Sequence, residues 1–222
     1  MEKTNWFREH GMILLTGVVI GIAALVLTAH GNPGNMGICI ACFERDTAVG
    51  LGLHRAAVVQ YLRPEIMGLV LGALVASFAA GEFKPRGGSA PLVRFVLGIV
   101  AAMGALVFLG CPWRTILRLA GGDGNALFGF AGLLVGIFCG TLFFRQGYSL
   151  GRSTGQSRLA GLVFPLLVLG LLAFYFFFPQ VEGQPQSGPI FDSLNGPGSK
   201  HAPVLASCGL ALIIGILAQR SR

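Results

Sequence analysis

The chain has 222 residues, of which 54% are hydrophobic and only 11% charged, with a mean hydropathy of +0.73. Soluble domains carry about 25% charged residues, so the polar surface of a water-soluble enzyme of this size is missing and that class is excluded. The net charge of +7 would suit nucleic acid, but no basic run with interleaved aromatics accompanies it. In so apolar a chain, basic residues belong to the loops that fix membrane orientation.

The expected fold is all-α, a polytopic integral membrane protein with about six transmembrane helices and two short re-entrant helices carrying cysteines. A bilayer core takes about 20 apolar residues per helix. In chain order the candidate spans are 12–29, 64–80, 92–110, 126–144, 159–178 and 203–218, the second and last being the shortest. The first is followed by Gly31-Asn32-Pro33-Gly34 and not by a small-residue cleavage site, so it reads as a span and not as a signal peptide. Gly-x-x-x-Gly spacing at Gly17/Gly21, Gly68/Gly72, Gly132/Gly136 and Gly136/Gly140 favours close helix packing. A cytoplasmic N-terminus puts ten of the 16 Lys and Arg on the cytoplasmic side, as positive-inside bias requires. No acidic residue is expected clearly inside a span, which argues against a carboxylate proton relay.

Three domains are expected: a transporter half over 1–178, a Gly/Pro-rich loop over 179–202, and the start of a second repeat over 203–222. Inside the first, two segments fit neither span nor exposed loop. Residues 32–52, NPGNMGICIACFERDTAVGLG, are too apolar for a loop and too interrupted for a span. Residues 110–125, GCPWRTILRLAGGDGN, read as a short amphipathic helix between Pro112 and a glycine pair. Irregular backbone at membrane depth is tolerated only where protein buries it or it lines a cavity, and such broken segments point to transporter sites.

Three of the five cysteines fall in these segments: Cys39 and Cys42 as a C-x-x-C, with a short helix expected to begin near Asn35-Met36-Gly37, and Cys111 in Gly110-Cys111-Pro112. Pro112 suits the first turn of a helix. Helix N-termini stabilise thiolates and attract anions through unpaired N–H groups, so two such half-helices facing one another would make an anion site lined by thiols. Arg45, Arg114 and Arg118 follow closely, with Asp46 and Asp123 available to pair with them. Intramembrane charges are costly and by default functional; the alternative is that they snorkel to the interface. Cys139 and Cys208 read as small hydrophobes. His10, His30, His54 and His201 lie near span ends. No metal site or cofactor is expected, because a lone C-x-x-C lacks the four ligands of tetrahedral zinc. A Cys39–Cys42 disulfide stays open as an alternative to redox or transport chemistry.

Six motifs in order, GNPGNMGICIACFERD (31–46), VVQYLRPEI (58–66), FKPRGGS (83–89), LVFLGCPWR (106–114), LRLAGGDGNA (117–126) and YSLGRS (148–153), resemble the YeeE/YedE membrane family over nearly the whole chain, and within it the selenium-metabolism branch YedE/FdhT. The resemblance implies a helical transporter of the bacterial inner membrane for small sulphur- or selenium-containing species, in which cysteines on short helices meet at mid-membrane and pass an anion by S–H hydrogen bonds. It assigns that relay to Cys111 and to one of the pair Cys39/Cys42. Members of the branch look like two repeated halves, whereas this chain ends at Arg222 where the second half's first cysteine would fall. The chain therefore reads as a half-transporter that pairs with a second half, forms a homodimer, or is cut short at a selenocysteine codon.

The function expected is a membrane permease for a thiosulfate-like anion or selenium compound, not an enzyme. Its pathway residues are Cys39, Cys42 and Cys111, with Asn32, Asn35, Gly37 and Gly110 shaping the turns and Arg45 or Arg114 attracting the anion. Its partners are the anion, the lipid bilayer and a second half, with no nucleic acid. The alternatives are a membrane thiol–disulfide electron carrier and a scaffold subunit of a selenium-metabolism complex.

Overall fold

The computed structural model describes residues 6–178 and 189–221, the side chains of 6–9 excepted. The first part of the loop expected over 179–202 thus lies outside the described residues. The fold is mostly helical, with a single pair of two-residue strands among the described residues. Four stretches are long and apolar enough to cross a membrane: His10–Ala29, Pro91–Ala120, Asn125–Arg145 and Arg158–Phe177. They are compatible with a membrane protein. Two further apolar helices, Pro64–Ala79 and Val204–Arg220, are shorter, so the expected six spans resolve into four full-length stretches and two short helices.

The chain divides into two compact units that interleave in sequence. Unit 1 comprises Met1–Ile38, Phe43–Phe83 and Leu162–Arg222. It contains α1 (Trp6–Ala29), most of α2 (Ile40–Gly50), α3 (Pro64–Ala79), most of α7 (Arg158–Phe177) and α8 (Val204–Arg220). Its central contact is α3 against α8, and α1 packs on α8 as well. Small residues bring the axes together. A Cβ on Gly68 or Gly72 would run into the backbone carbonyls of Cys208 and Leu212, and one on Gly215 into that of Leu69. The Gly68/Gly72 pair is therefore a packing device of the small-residue kind. By contrast, Gly17, Gly21, Gly132, Gly136 and Gly140 meet nothing within 4 Å. Leu62, Met67, Val168 and Ile190 form an apolar cluster in the same unit, flanked by Leu171 and Phe174.

Unit 2 comprises Cys39–Cys42 and Lys84–Gly161. It contains α4 (Pro91–Val107), α5 (Pro112–Ala120) and α6 (Asn125–Arg145), with the antiparallel strands β1 (Arg86–Gly87) and β2 (Thr154–Gly155) paired Arg86 to Gly155 and Gly87 to Thr154. Helices α3, α4 and α5 each begin with proline at the first position, where the missing N–H would have no helical partner anyway. α4 buries no residue and α6 only Ala126.

Candidate functional site

The short helices expected around the cysteines are present. The first begins at Ile40, a few residues later than expected, so that Cys39 immediately precedes α2 and Cys42 lies in its first turn. The turn before it is shaped as the residues demand. Asn35 takes a left-handed conformation at φ 58°, which asparagine tolerates through local hydrogen bonding. At Gly37 a Cβ would collide with the carbonyl of Ala24 and with Thr28 Oγ1, so only glycine permits this approach to α1. Cys111 is the N-cap residue of α5, with Pro112 next. The turn that presents it, 108–110, passes through Leu109 at φ 57°. Gly110 itself is buried, and a Cβ added there would sit at ordinary contact distance from the Phe108 ring and Thr115.

In unit 2 the three thiols converge. Cys39, Cys42 and Cys111 are 0%, 2% and 8% exposed. Cys39 Sγ and Cys111 Sγ are 3.7 Å apart, within thiol hydrogen-bond reach and far beyond the roughly 2.05 Å of a disulfide. The alternative disulfide between Cys39 and Cys42 is not formed. Arg114 Nη1 donates to Cys42 Sγ at 3.1 Å, while Arg114 Nε is buried with no hydrogen-bond partner among the described residues. The backbone N–H groups of Ile40 and Ala41 at the start of α2 and of Arg114 in the first turn of α5 lie near the sulfur of Cys111. Two helix N-termini thus address one sulfur atom. Such termini carry unpaired N–H groups and partial positive charge, and with the guanidinium they make a buried, donor-rich, cationic site suited to a soft anion.

Phe108, Gly129 and Arg118 hold this turn. Arg118 Nη1 donates to the Phe108 carbonyl at 2.9 Å and its guanidinium lies 4.8 Å from the Phe108 ring centroid. A Cβ on Gly129 of α6 would occupy the space of that ring. Arg118 Nε donates to Asp123 Oδ2 at 2.7 Å, which holds the Asp123 carboxyl below the usual carboxylate range. The arginine was legible as a candidate; the roles of Phe108 and Gly129 were not, because helix contact is invisible in one sequence.

The remaining expected pathway residues have other partners. Arg45 binds Asp46 Oδ1 through Nε and Nη2 at 3.1 and 2.7 Å, an ion pair in unit 1. Asn32 is buried and cross-links its turn: Nδ2 donates to the Gly37 carbonyl at 3.1 Å and to Glu65 Oε1 at 2.8 Å, and Oδ1 accepts from Ala202 N at 2.8 Å. These bonds cross-link the turn to α3 and to the segment before α8.

Unit 1 also contains buried charges. Arg63 is 0% exposed. It donates to Asp46 Oδ2 at 2.9 Å and to the carbonyls of Lys200 and Pro197, with the Phe43 and Tyr61 rings on its guanidinium. The Tyr61 ring stacks on His201 at 4.3 Å. Glu65, in the first turn of α3, is 2% exposed. Glu65 stands at the start of the apolar helix expected over 64–80, buried and not at an exposed end. The available signal was the Arg63-Pro64-Glu65 run at a helix start, where an acid belongs. In the segment before α8, burial pushes the Asp192 carboxyl up to about 6 and lowers His201 below the usual histidine range.

Comparison with protein-family models, curated proteins and solved structures finds no match, so the resemblance rests on the motifs themselves.

Proposed function

We propose that the chain is half of a YeeE/YedE-type permease of the bacterial inner membrane, conducting a small sulphur- or selenium-containing anion along a thiol-lined pathway. In this reading six helices span the bilayer, α2 and the α5 segment are re-entrant, and a second half or a second copy completes the pathway. The observation that carries it is the 3.7 Å approach of Cys39 and Cys111 beside the Arg114–Cys42 contact. A soft anion displaces one S–H contact and is held by the neighbouring thiols as weak donors. Arg114 and the two helix N-termini compensate its charge where water is excluded. No bond to carbon or sulphur needs to be made or broken, so transport and not catalysis is the chemistry that the site supports.

The test is uptake of radiolabelled thiosulfate, selenite and selenide by cells producing this chain, alone and with a second half. Loss of uptake in Cys111→Ala with membrane insertion unchanged is the expected result. Full uptake by that variant removes the thiol pathway from the proposal.

The same 3.7 Å separation favours one second reading, a thiol–disulfide carrier in which Cys39 and Cys111 cycle by exchange with a thioredoxin-like partner. It predicts reversible Cys39–Cys111 bridging and no flux of anion.

A further inference from the structure

We propose that Glu65 is the proton-coupling site of this permease, binding one proton as an anion enters and releasing it as the site resets; this deepens the transport reading and rests on it. An anion moving into a cell works against an inside-negative potential, so accumulation needs a co-moving cation. Within unit 1 the candidate binder is a carboxyl buried to 2% exposure in the first turn of α3.

Its surroundings accommodate both protonation states. The ionised form is stabilised by the N-terminus of α3 and by two donors on one oxygen: Asn32 Nδ2 at 2.8 Å and Ser207 Oγ at 3.0 Å, both to Oε1. The neutral form is accommodated at the other oxygen, Oε2, which is buried with no hydrogen-bond partner among the described residues. Nor does a cation pair with it. Arg63, two residues away, already gives its charge to Asp46. The other titratable groups acting on Glu65 are Tyr61 from the connection before α3, Tyr175 from α7, His201 from the connection before α8 and Cys208 from α8. None of these supplies a fixed positive charge.

A proton fits better than a metal cation. Among the described residues no three His, Cys, Asp or Glu side chains gather as ligands, and Asn32 and Ser207 aim hydrogen atoms at Oε1, where a metal would need lone pairs. The step balances simply: the carboxylate takes a proton from water on one side at Oε2, and the acid returns it to water on the other. The readout to the pathway is Asn32. It holds Glu65 with the same amide that holds the Gly37 carbonyl, two residues before Cys39 in the chain. Neutralising Glu65 weakens that hold and frees the turn.

The experiment uses the purified full chain in detergent and in liposomes, with its second half if uptake requires one. Infrared spectroscopy should detect the carbonyl stretch of a protonated carboxyl that titrates with pH, persists in Glu65→Asp and is lost in Glu65→Gln. In liposomes loaded with thiosulfate, Glu65→Gln should keep exchange of labelled for unlabelled anion but lose accumulation driven by a pH gradient, whereas Cys111→Ala loses both. Exchange by Glu65→Gln also shows that the variant is folded. The proposal is overturned if the wild type has no such band, if Glu65→Gln accumulates anion as the wild type does, or if accumulation follows a sodium gradient instead. Absence of any anion flux in the wild type while the band is present overturns the coupling role through failure of the transport reading, and is distinguished from the other outcomes by that band.

Discussion

Helices α3 and α8 and helices α4 and α6 are all apolar, yet only the first two are built as a core. α3 buries seven residues, among them Glu65, Gly68, Gly72 and Ser77, and α8 buries Ser207, Ala211, Ile214 and Gly215. α4 buries none, and Leu92, Phe95, Val100 and Val107 are exposed. Hydrophobicity therefore does not determine which helices meet in such a chain. Where lipid competes as an apolar neighbour, association comes from close backbone approach and buried polar contacts. The α3–α8 pair has both, in Gly68/Gly72/Gly215 and in the Asn32–Glu65–Ser207 hydrogen bonds. The exposed faces of α4 and α6 have neither on the residues that point outward, which suits lipid contact.

That difference can be broken most severely at Asp46. Asp46→Asn removes the carboxylate from a fully buried Arg63, and stranding a buried charge costs about 3–5 kcal/mol; thermal unfolding of the purified protein should show a large drop in midpoint, and an unchanged midpoint would deny the pair its anchoring role. Next comes Gly72→Leu, whose side chain would meet the Leu212 backbone. Backbone cannot step aside as a flexible side chain can, so a loss of about 3 kcal/mol is expected, at the high end for overpacking, and is read as loss of a monodisperse peak on size exclusion. Asn32→Ala leaves Glu65, the Gly37 carbonyl and the Ala202 N–H without a shared partner; a destabilisation of about 2 kcal/mol follows, and protease nicking within 30–39 should rise.

A smaller effect is expected from pH. Asp192, pushed by burial up to about 6, binds its proton more tightly folded than unfolded, where an aspartate titrates near 3.9. Its contribution is thus fully present below about pH 4 and is lost as pH rises through about 6. Because the side chain is partly solvated, the difference should be about 1 kcal/mol, visible as a midpoint that falls between pH 4 and 7 and flattens in Asp192→Asn. Smallest of all is Gly136→Leu on α6, which meets nothing within 4 Å; a change within about 0.5 kcal/mol would separate exposed glycines from packing ones, and a large one would reveal a partner on that face.

The pattern of apolar runs, proline and cysteine in the sequence was sufficient to anticipate helices over α1, α3, α4, α6, α7 and α8, the short α2 and α5, and Cys111 at a helix start. These are local properties: run length sets helix length, and Pro112 marks a helix start because its absent N–H has no partner to lose. The pairing of Asp46 with Arg45 and of Asp123 with Arg118 was legible for the same reason, since the partners lie within one turn or two of chain. What only the tertiary structure decided is which groups meet across long separations. Cys39 and Cys111 are 72 residues apart in the chain, and Glu65 and Ser207 are 142 apart. The structure also separated Gly68/Gly72 from Gly132/Gly136, identical in spacing and opposite in surroundings. The physical reason is that spacing encodes only the face a residue occupies, whereas the neighbour that fills that face is chosen by packing of the whole chain.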